Sequence, residues 1–323
     1  MCVDRVSCIA FIPPPHTHTH LPGAVSPSVP AAVHCWVELK LLVCCLLLSS
    51  GGTGHRWTVD LGSDSYGLPH YFDKSAAAGM RYSFYRKSTR GHNTLTFNGD
   101  DDHPGWSTQD PYAVSVISLV NCSDSTLSNS DSSSNANRTA GAGRGEGAGG
   151  VAAPFSLIDL TPAYAKQGGP YPPQPPASRV MRGIAVTAGY RGFAVVDEWT
   201  APGAANVTWS LHFVTSDTLV NITGEGRTAV MTSARPLADG SVPAITATIV
   251  TPPSGQSAVF TVETPYIPGP QHPVGALRKL TVVVDPRTTP GLQITFSLVG
   301  EVPAAAARPL QDWPAQGPFA SAD

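Results

Sequence analysis

Asp60 and His92 stand in two dense strings, Arg56–Gly62 (RWTVDLG) and Tyr85–Thr94 (YRKSTRGHNT), with Asp64–Asp73 (DSYGLPHYFD) between them. A carboxylate and an imidazole are both ligands for Zn²⁺, which usually takes at least three groups from the protein. The aromatic and cationic residues between them would add an anion-binding surface. By spacing alone the pair reads more readily as a hydrogen-bonded structural contact. An Asp at the centre of an apolar alternation either faces water or is buried with a partner.

The elements that must position these residues are strands. Trp57, Val59 and Leu61 alternate with Thr58 and Asp60, which predicts a strand with Asp60 on the face opposite the apolar side chains. The same period of two runs through 193–199, 207–213 and 292–298. Further strands are predicted at 112–120, 155–160, 180–188, 218–223, 227–232, 244–251, 257–264 and 277–284. Turn signals at Gly189–Gly192, Gly224–Gly226, Pro252–Gly255 and Asp285–Pro290 separate them. A dozen short strands without an amphipathic helix predict an all-β fold, a large antiparallel two-sheet β-sandwich. Trp57, Trp199 and Trp209 are expected in its core. His212, opposite Trp209 on its strand, is expected at the surface or hydrogen-bonded, and not catalytic.

The domain is expected over residues 51–305, with a C-terminal tail at 306–323. It is interrupted by a disordered insertion at about 121–150, where Ser123–Ser134 and the Gly-rich Gly141–Gly150 bury too little apolar surface to offset their ordering entropy. Residues 1–50 read as an unstructured N-terminal tail. Its His16–His20 run (HTHTH) is better explained by a dinucleotide repeat in the gene than by metal binding. Leu39–Leu48 is a candidate signal-peptide core behind a 38-residue leader, and too short to span a bilayer, which needs about 20 residues.

Composition narrows the function. Charged residues are 13% of the 323, and the net charge of −3 gives no reason to expect nucleic-acid binding. Thirty-one Gly and 31 Pro exclude a helical protein. Five of the six Cys precede residue 50 and only Cys122 follows, so no disulfide framework staples the domain. Sequons at Asn121, Asn137, Asn206 and Asn221 lean toward a secreted, glycosylated, extracellular or cell-envelope protein.

The two strings, RWTVDLGSDSYGLPHYFD and YRKSTRGHNTLTFNG, resemble the C-terminal β-sandwich of the heparinase II/III-like polysaccharide lyases, alginate lyases included. Gln109–Pro111 (QDP), Leu157–Tyr164 (LIDLTPAY), Arg182, Val196–Trp199 (VDEW) and Trp209–Phe213 (WSLHF) follow in the family's order, so the resemblance covers roughly 55–300. It implies β-elimination on an acidic, uronic-acid polysaccharide, with tyrosine and histidine as base and acid and with donors for the developing charge. It implies Asp60 and His92 as two zinc ligands, Tyr71 and Tyr66 as tyrosines facing the substrate, and Arg86 as a substrate-binding cation. Each tyrosine reads equally as an aromatic packed on the sheet, and Arg86 as a surface counter-ion.

The family's third ligand comes from an upstream S-H-x-H-x-D motif, expected about 18 residues before Asp60. Leu39–Cys45 stands there, with no His. The family's helical toroid has no counterpart in residues 1–50. The expectation is therefore the sandwich of such a lyase, truncated and inactive as this chain. A stand-alone carbohydrate-binding or structural sandwich is the alternative, and a secreted metal-stabilised adhesion domain a minor one.

Overall fold

Alternating apolar residues build twelve strands in a computed structural model that describes residues 55–72, 80–98, 109, 113, 116–120, 154–164, 177–187, 191–267, 269–301 and 305–320. Of two compact units, Met1–Ala32 lies outside the described residues, and Val33–Asp323 contains everything that follows. The expected N-terminal tail, the 121–150 insertion, Cys122, and the sequons at Asn121 and Asn137 also lie outside the described residues.

The strands are β1 (Leu95–Phe97), β2 (Val116–Val120), β3 (Phe155–Asp159), β4 (Arg179–Val186), β5 (Gly192–Thr200) and β6 (Val207–Val214). They continue as β7 (Thr218–Thr223), β8 (Thr228–Ser233), β9 (Ala244–Thr251), β10 (Phe260–Glu263), β11 (Leu277–Val284) and β12 (Gly291–Leu298). One sheet has the order β1-β6-β11-β10 and the other β2-β3-β4-β5-β12-β9-β8-β7; all pairings are antiparallel. The chain is an all-β two-sheet sandwich.

The inward faces supply one core. Leu95, Trp209, Leu211, Leu280 and Val282 of the small sheet meet Phe193, Val195, Ile294, Phe296 and Met231 of the large one, and Trp57 and Trp199 are also buried in it. The expected core tryptophans are there.

The strand expected at 57–61 is extended chain outside the ladders. Its backbone tie to β6 is the Val59 N–H donated to the His212 carbonyl, 2.9 Å. It runs over the outer face of the small sheet, where Val59, Tyr85 and Leu277 form a separate apolar cluster with Leu61, Val214, Ile267 and Val274. A third layer thus covers one end of the small sheet; Asp60 lies in its 57–61 segment and Arg86 bonds to Leu61, whereas Tyr71 packs with Leu68 and Phe84 in a cluster of its own.

The segment expected as a tail at 306–323 is packed as far as it is described. Leu310 and Trp313 lie fully buried on the outer face of the large sheet against Phe155, Leu157, Ala194 and Val196. The Gln293 amide clamps the segment from both sides, donating to the Ala305 carbonyl (2.9 Å) and accepting from the Ala307 N–H (2.7 Å). Gly183 makes the approach possible, since a Cβ there would lie 2.4 Å from Leu310 and 2.6 Å from Trp313. The signal was in the strands: Phe193–Val196 (FAVV) is apolar on both faces, as strands covered on both sides are.

Candidate functional site

The Asp60–Leu61–Gly62 string folds as a side-chain-capped turn. Asp60 Oδ1 accepts the Gly62 N–H at 3.1 Å, and Gly62 takes φ +64°, where a side chain is strained. The same oxygen lies 3.5 Å from His92 Nδ1, and both side chains are partly exposed. Burial would raise the Asp60 carboxyl, but the His92 contact and charge together with the Gly62 N–H outweigh it and hold it below the usual carboxylate range.

His92 is delivered by two successive short helical turns, Tyr85–Lys87 and Thr89–Gly91. Gly91 must be glycine, because a Cβ there would lie 2.1 Å from the Tyr85 carbonyl oxygen.

The structure thus brings Asp60 and His92 together. Their 3.5 Å separation is close to the edge of a zinc tetrahedron with arms of about 2.0–2.1 Å, roughly 3.3 Å. Among the described residues no group of three His, Cys, Asp or Glu side chains surrounds a common point. The pair fits two corners of a zinc site, and the donor set is short of the usual three.

Arg86 faces inward. Its Nη1 donates to the carbonyls of Leu61 (3.0 Å) and Ser63 (3.2 Å), Nη2 donates to that of His272 (3.3 Å), and Nε lies 3.6 Å from Asp64 Oδ2. Asp64 in turn accepts the Ser65 N–H at 2.7 Å. The guanidinium therefore pins the 61–65 loop to the 271–272 segment, a positioning contact rather than an open cation.

The two tyrosines separate. Tyr71 is 2% exposed and packed on Phe84 and Leu68, with its hydroxyl shielded from water. Burial pushes its phenol up, against the opposing pull of the Asp64 backbone and Arg81. Tyr66 is 65% exposed and Phe72 61%, with ring centroids 5.5 Å apart, and both rest on the Tyr71 ring. The Arg81 guanidinium lies 5.4 Å and the Lys87 ammonium 5.9 Å from that ring's centre. Burial and the adjacent Arg81 charge push Lys87 down from its ordinary value.

No family model matches this sequence, and no curated protein matches it. Among solved structures the chain is similar to a heparan sulfate lyase HepC mutant from Pedobacter heparinus, at 12% identity and a TM-score of 0.42, over 76% of this chain and 28% of that one. It is also similar to a heparinase III (11% identity, TM-score 0.43, 79% of this chain, 29% of that one) and to its lysine-methylated form (13%, 0.40, 79%, 29%). The chain spans less than a third of the length of these proteins.

Beneath the Asp60–His92 pair lies His212, expected at the surface or hydrogen-bonded; it is hydrogen-bonded, and buried. His212 is fully buried, with Nε2 2.7 Å from the Tyr85 hydroxyl and Nδ1 3.0 Å from Asn93 Oδ1. That Asn93 oxygen also accepts the His212 backbone N–H at 2.7 Å, which fixes it as an acceptor. Nδ1 must then carry the proton, and Nε2 accepts from Tyr85. Burial, then the Lys279 and His92 charges, push His212 down to about 3, so the ring is neutral at ordinary pH.

The network continues into the large sheet. Arg182 Nη1 donates to the Asn93 carbonyl (3.3 Å), and Arg182 grips Asp197 through Nε–Oδ1 at 2.7 Å and Nη2–Oδ2 at 3.0 Å. These two residues face each other across β4 and β5 and are both fully buried. Burial pushes the Asp197 carboxyl up, and the bidentate guanidinium opposes it. Nearby, Gln109 Nε2 donates to the Tyr164 hydroxyl (2.7 Å), which donates to the Leu95 carbonyl (2.6 Å). The sequence signal for the Arg182–Asp197 pair was two polar residues at inward strand positions, above all Asp197 between Val195 and Trp199. Thus Gln109, Tyr164, Arg182, Asp197 and His212, scattered over a hundred residues, converge by hydrogen bonds on Asn93–Leu95.

Proposed function

We propose that this chain is the sandwich part of a heparinase II/III-like polysaccharide lyase, and that its Tyr66–Phe72 surface binds an acidic, uronic-acid polysaccharide. The observation that carries this reading is the aromatic pair itself. Two large aromatic side chains, both more than half exposed and resting on a third ring, are costly on a soluble surface unless something stacks on them. A pyranose ring presents an apolar face of C–H groups suited to Tyr66 and Phe72. Arg81 and Lys87 lie 5.4 and 5.9 Å from the Tyr71 ring centre and set two cations beside the platform. Arg86 supports the reading indirectly, by fixing the loop that carries Tyr66.

In the elimination that the resemblance implies, Tyr66 and Tyr71 are the chain's acid and base candidates. Only Tyr66 is exposed, and the raised phenol of Tyr71 suits a proton donor better than a base. Asp60 and His92 are the two protein donors offered to a zinc ion, which there would tie the turn at Gly62 to the turn at Gly91. No proton transfer is assigned to it. Secretion to meet an extracellular polymer belongs to the same proposal; among the described residues no helix is long and apolar enough to cross a membrane.

A second reading, a carbohydrate-binding sandwich without catalysis, is favoured by the burial of Tyr71, since its hydroxyl does not reach solvent. Both readings require the polymer to bind. The test is a calorimetric titration with size-defined alginate and heparin oligosaccharides. Tyr66→Ala is expected to weaken binding about tenfold, equivalent to about 1.4 kcal/mol. Lys87→Ala is expected to weaken acidic but not neutral oligosaccharides. Unchanged affinity in both variants would refute the platform.

A further inference from the structure

The large sheet ends at β7, and among the described residues no strand pairs with its free side. Such an edge offers its backbone N–H and C=O groups to any strand that meets it, and soluble proteins blunt it with charge, proline or a bulge. The two sheets differ here. The small sheet ends at the four-residue β10, where Glu263 pairs in register with Lys279 of β11, 3.3 Å apart, and puts charge at the edge. β7 has six residues, Thr218–Thr223 (TLVNIT), without charge or proline, and its register with β8 runs without a bulge.

The outer face beside this edge is also uncharged. Val220 and Ile222 pack toward the core, so Leu219, Asn221 and Thr223 point outward, and all three are exposed, Leu219 at 53%. Across the sheet Asn221 stands in a row with Val230, Thr246 and Ser297, and Leu219 in a row with Thr232 and Ala244. Neither row holds a Lys, Arg, Asp or Glu. An uncharged face that ends in an unpaired edge is the geometry of edge-to-edge association.

A sequon stands on that edge. Asn221-Ile222-Thr223 has the N-x-Ser/Thr form with a residue other than proline in the middle. The strand period puts the Asn221 amide and the Thr223 hydroxyl on the same outward face. The other described sequon, Asn206-Val207-Thr208, is placed differently: Asn206 is half-buried, and Thr208 lies in β6, held between β1 and β11. An N-linked oligosaccharide is bulky and hydrated, and the exposed Asn221 has solvent in front of it to take one.

We propose that Asn221 carries an N-linked oligosaccharide and that this glycan shields the β7 edge from other strands. In the transfer, the Asn221 amide nitrogen attacks C1 of the first sugar of a polyprenyl-diphosphate-linked oligosaccharide. A C1–N bond forms and the C1–O bond to the diphosphate breaks. The diphosphate leaves with the bonding pair, and one amide proton passes to a base of the transferase. The proposal rests on the secretory route included in the proposed function, and adds to it a modified residue and what the modification does.

The test expresses the full chain in a eukaryotic host behind a cleavable secretion signal from another protein, so that delivery does not depend on residues 1–50. Peptide mapping after enzymatic glycan release in heavy-oxygen water marks each formerly glycosylated Asn as a labelled Asp. The mark is expected at Asn221, lost in Asn221→Gln and Thr223→Ala, and kept in Thr223→Ser. Light scattering then compares the glycosylated chain, expected to be a monomer, with Asn221→Gln and Thr223→Ala. Both variants should show the wild-type melting temperature and an average mass raised roughly twofold or more. Leu219→Lys added to Asn221→Gln should restore the monomer by placing charge on the same edge. An unmarked Asn221 in the secreted chain, whatever Asn206 carries, would overturn the proposal. A marked Asn221 whose removal leaves the average mass unchanged would overturn the shielding and keep the modification. A parallel culture with the native N-terminus alone separates the two readings: a mark at Asn221 only behind the added signal supports the site and overturns the secretory route.

Discussion

His92 and His212 sit in the same corner of the sandwich under opposite physical regimes. His92 is partly exposed, 3.5 Å from a carboxylate that its own contact and charge help to keep ionised. His212 is fully buried, neutral, and saturated by Tyr85 and Asn93. The first is reached by solvent. The second is one link of a polar spine from Asp197 through Arg182 and Asn93 to Tyr85, joining the large sheet to the layer that carries the site. Residues that look alike in a motif therefore divide into surface chemistry and interior framework, and burial sorts them.

Breaking the framework should cost most. Arg182→Met leaves the Asp197 carboxylate buried without its guanidinium, and about 3–5 kcal/mol of unfolding free energy should be lost in denaturant titration. The Arg182→Met/Asp197→Leu double variant should recover most of it. Full recovery together with intact saccharide binding would show that the spine is not needed to hold the surface.

Acid titration comes next. The His212 imidazole is held at about 3 in the folded state against 6.5 in the unfolded chain, so the unfolded chain binds the extra proton. Its contribution to stability is complete above pH 6.5 and falls as the pH drops toward 3. At about 1.4 kcal/mol per pH unit, roughly 2–3 kcal/mol should be lost between pH 6 and pH 4. His212→Gln should flatten that slope in urea midpoints measured across the range; an identical slope would remove His212 as its source.

Gly91→Ala tests the join between the two regimes. Its Cβ would meet the Tyr85 carbonyl, and overpacking should cost about 1–3 kcal/mol and move His92 away from Asp60. The smallest effect on stability should come from Asp60→Ala, less than about 1 kcal/mol without metal because the pair is partly exposed. Elemental analysis after incubation with zinc then decides its chemistry. Metal should bind to wild type and be lost in His92→Ala, whereas stoichiometric zinc retained in that variant would rule out His92 as a ligand.

The sandwich was legible because period-two alternation survives wherever one face of a strand is buried, and eleven of the predicted strands stand in the ladders. The segment 57–61 alternates equally well but lies over a sheet instead of within one; alternation reports which side is apolar, not which backbone pairs. Residues 306–320 were misread as a tail because a short, Pro-interrupted segment shows no period even when Leu310 and Trp313 anchor it. At the site, the Asp60–His92 contact was legible from the strings that carry it. The role of Arg86 was not, since one of its three carbonyl acceptors, His272, lies 186 residues away in sequence. The hydrogen bonding of His212 was among the alternatives expected, but its burial was not legible, because the outer face of a sheet normally meets water.

The most direct test of the functional account is incubation of the purified chain with alginate and with heparin-type polymers, following the ultraviolet absorbance of an unsaturated uronic-acid product. The polymer should bind through Tyr66 and Phe72 with no rise in absorbance. A clear rise that Tyr71→Phe abolishes would contradict the account, by showing that the buried tyrosine reaches the substrate and that the chain cleaves what it binds.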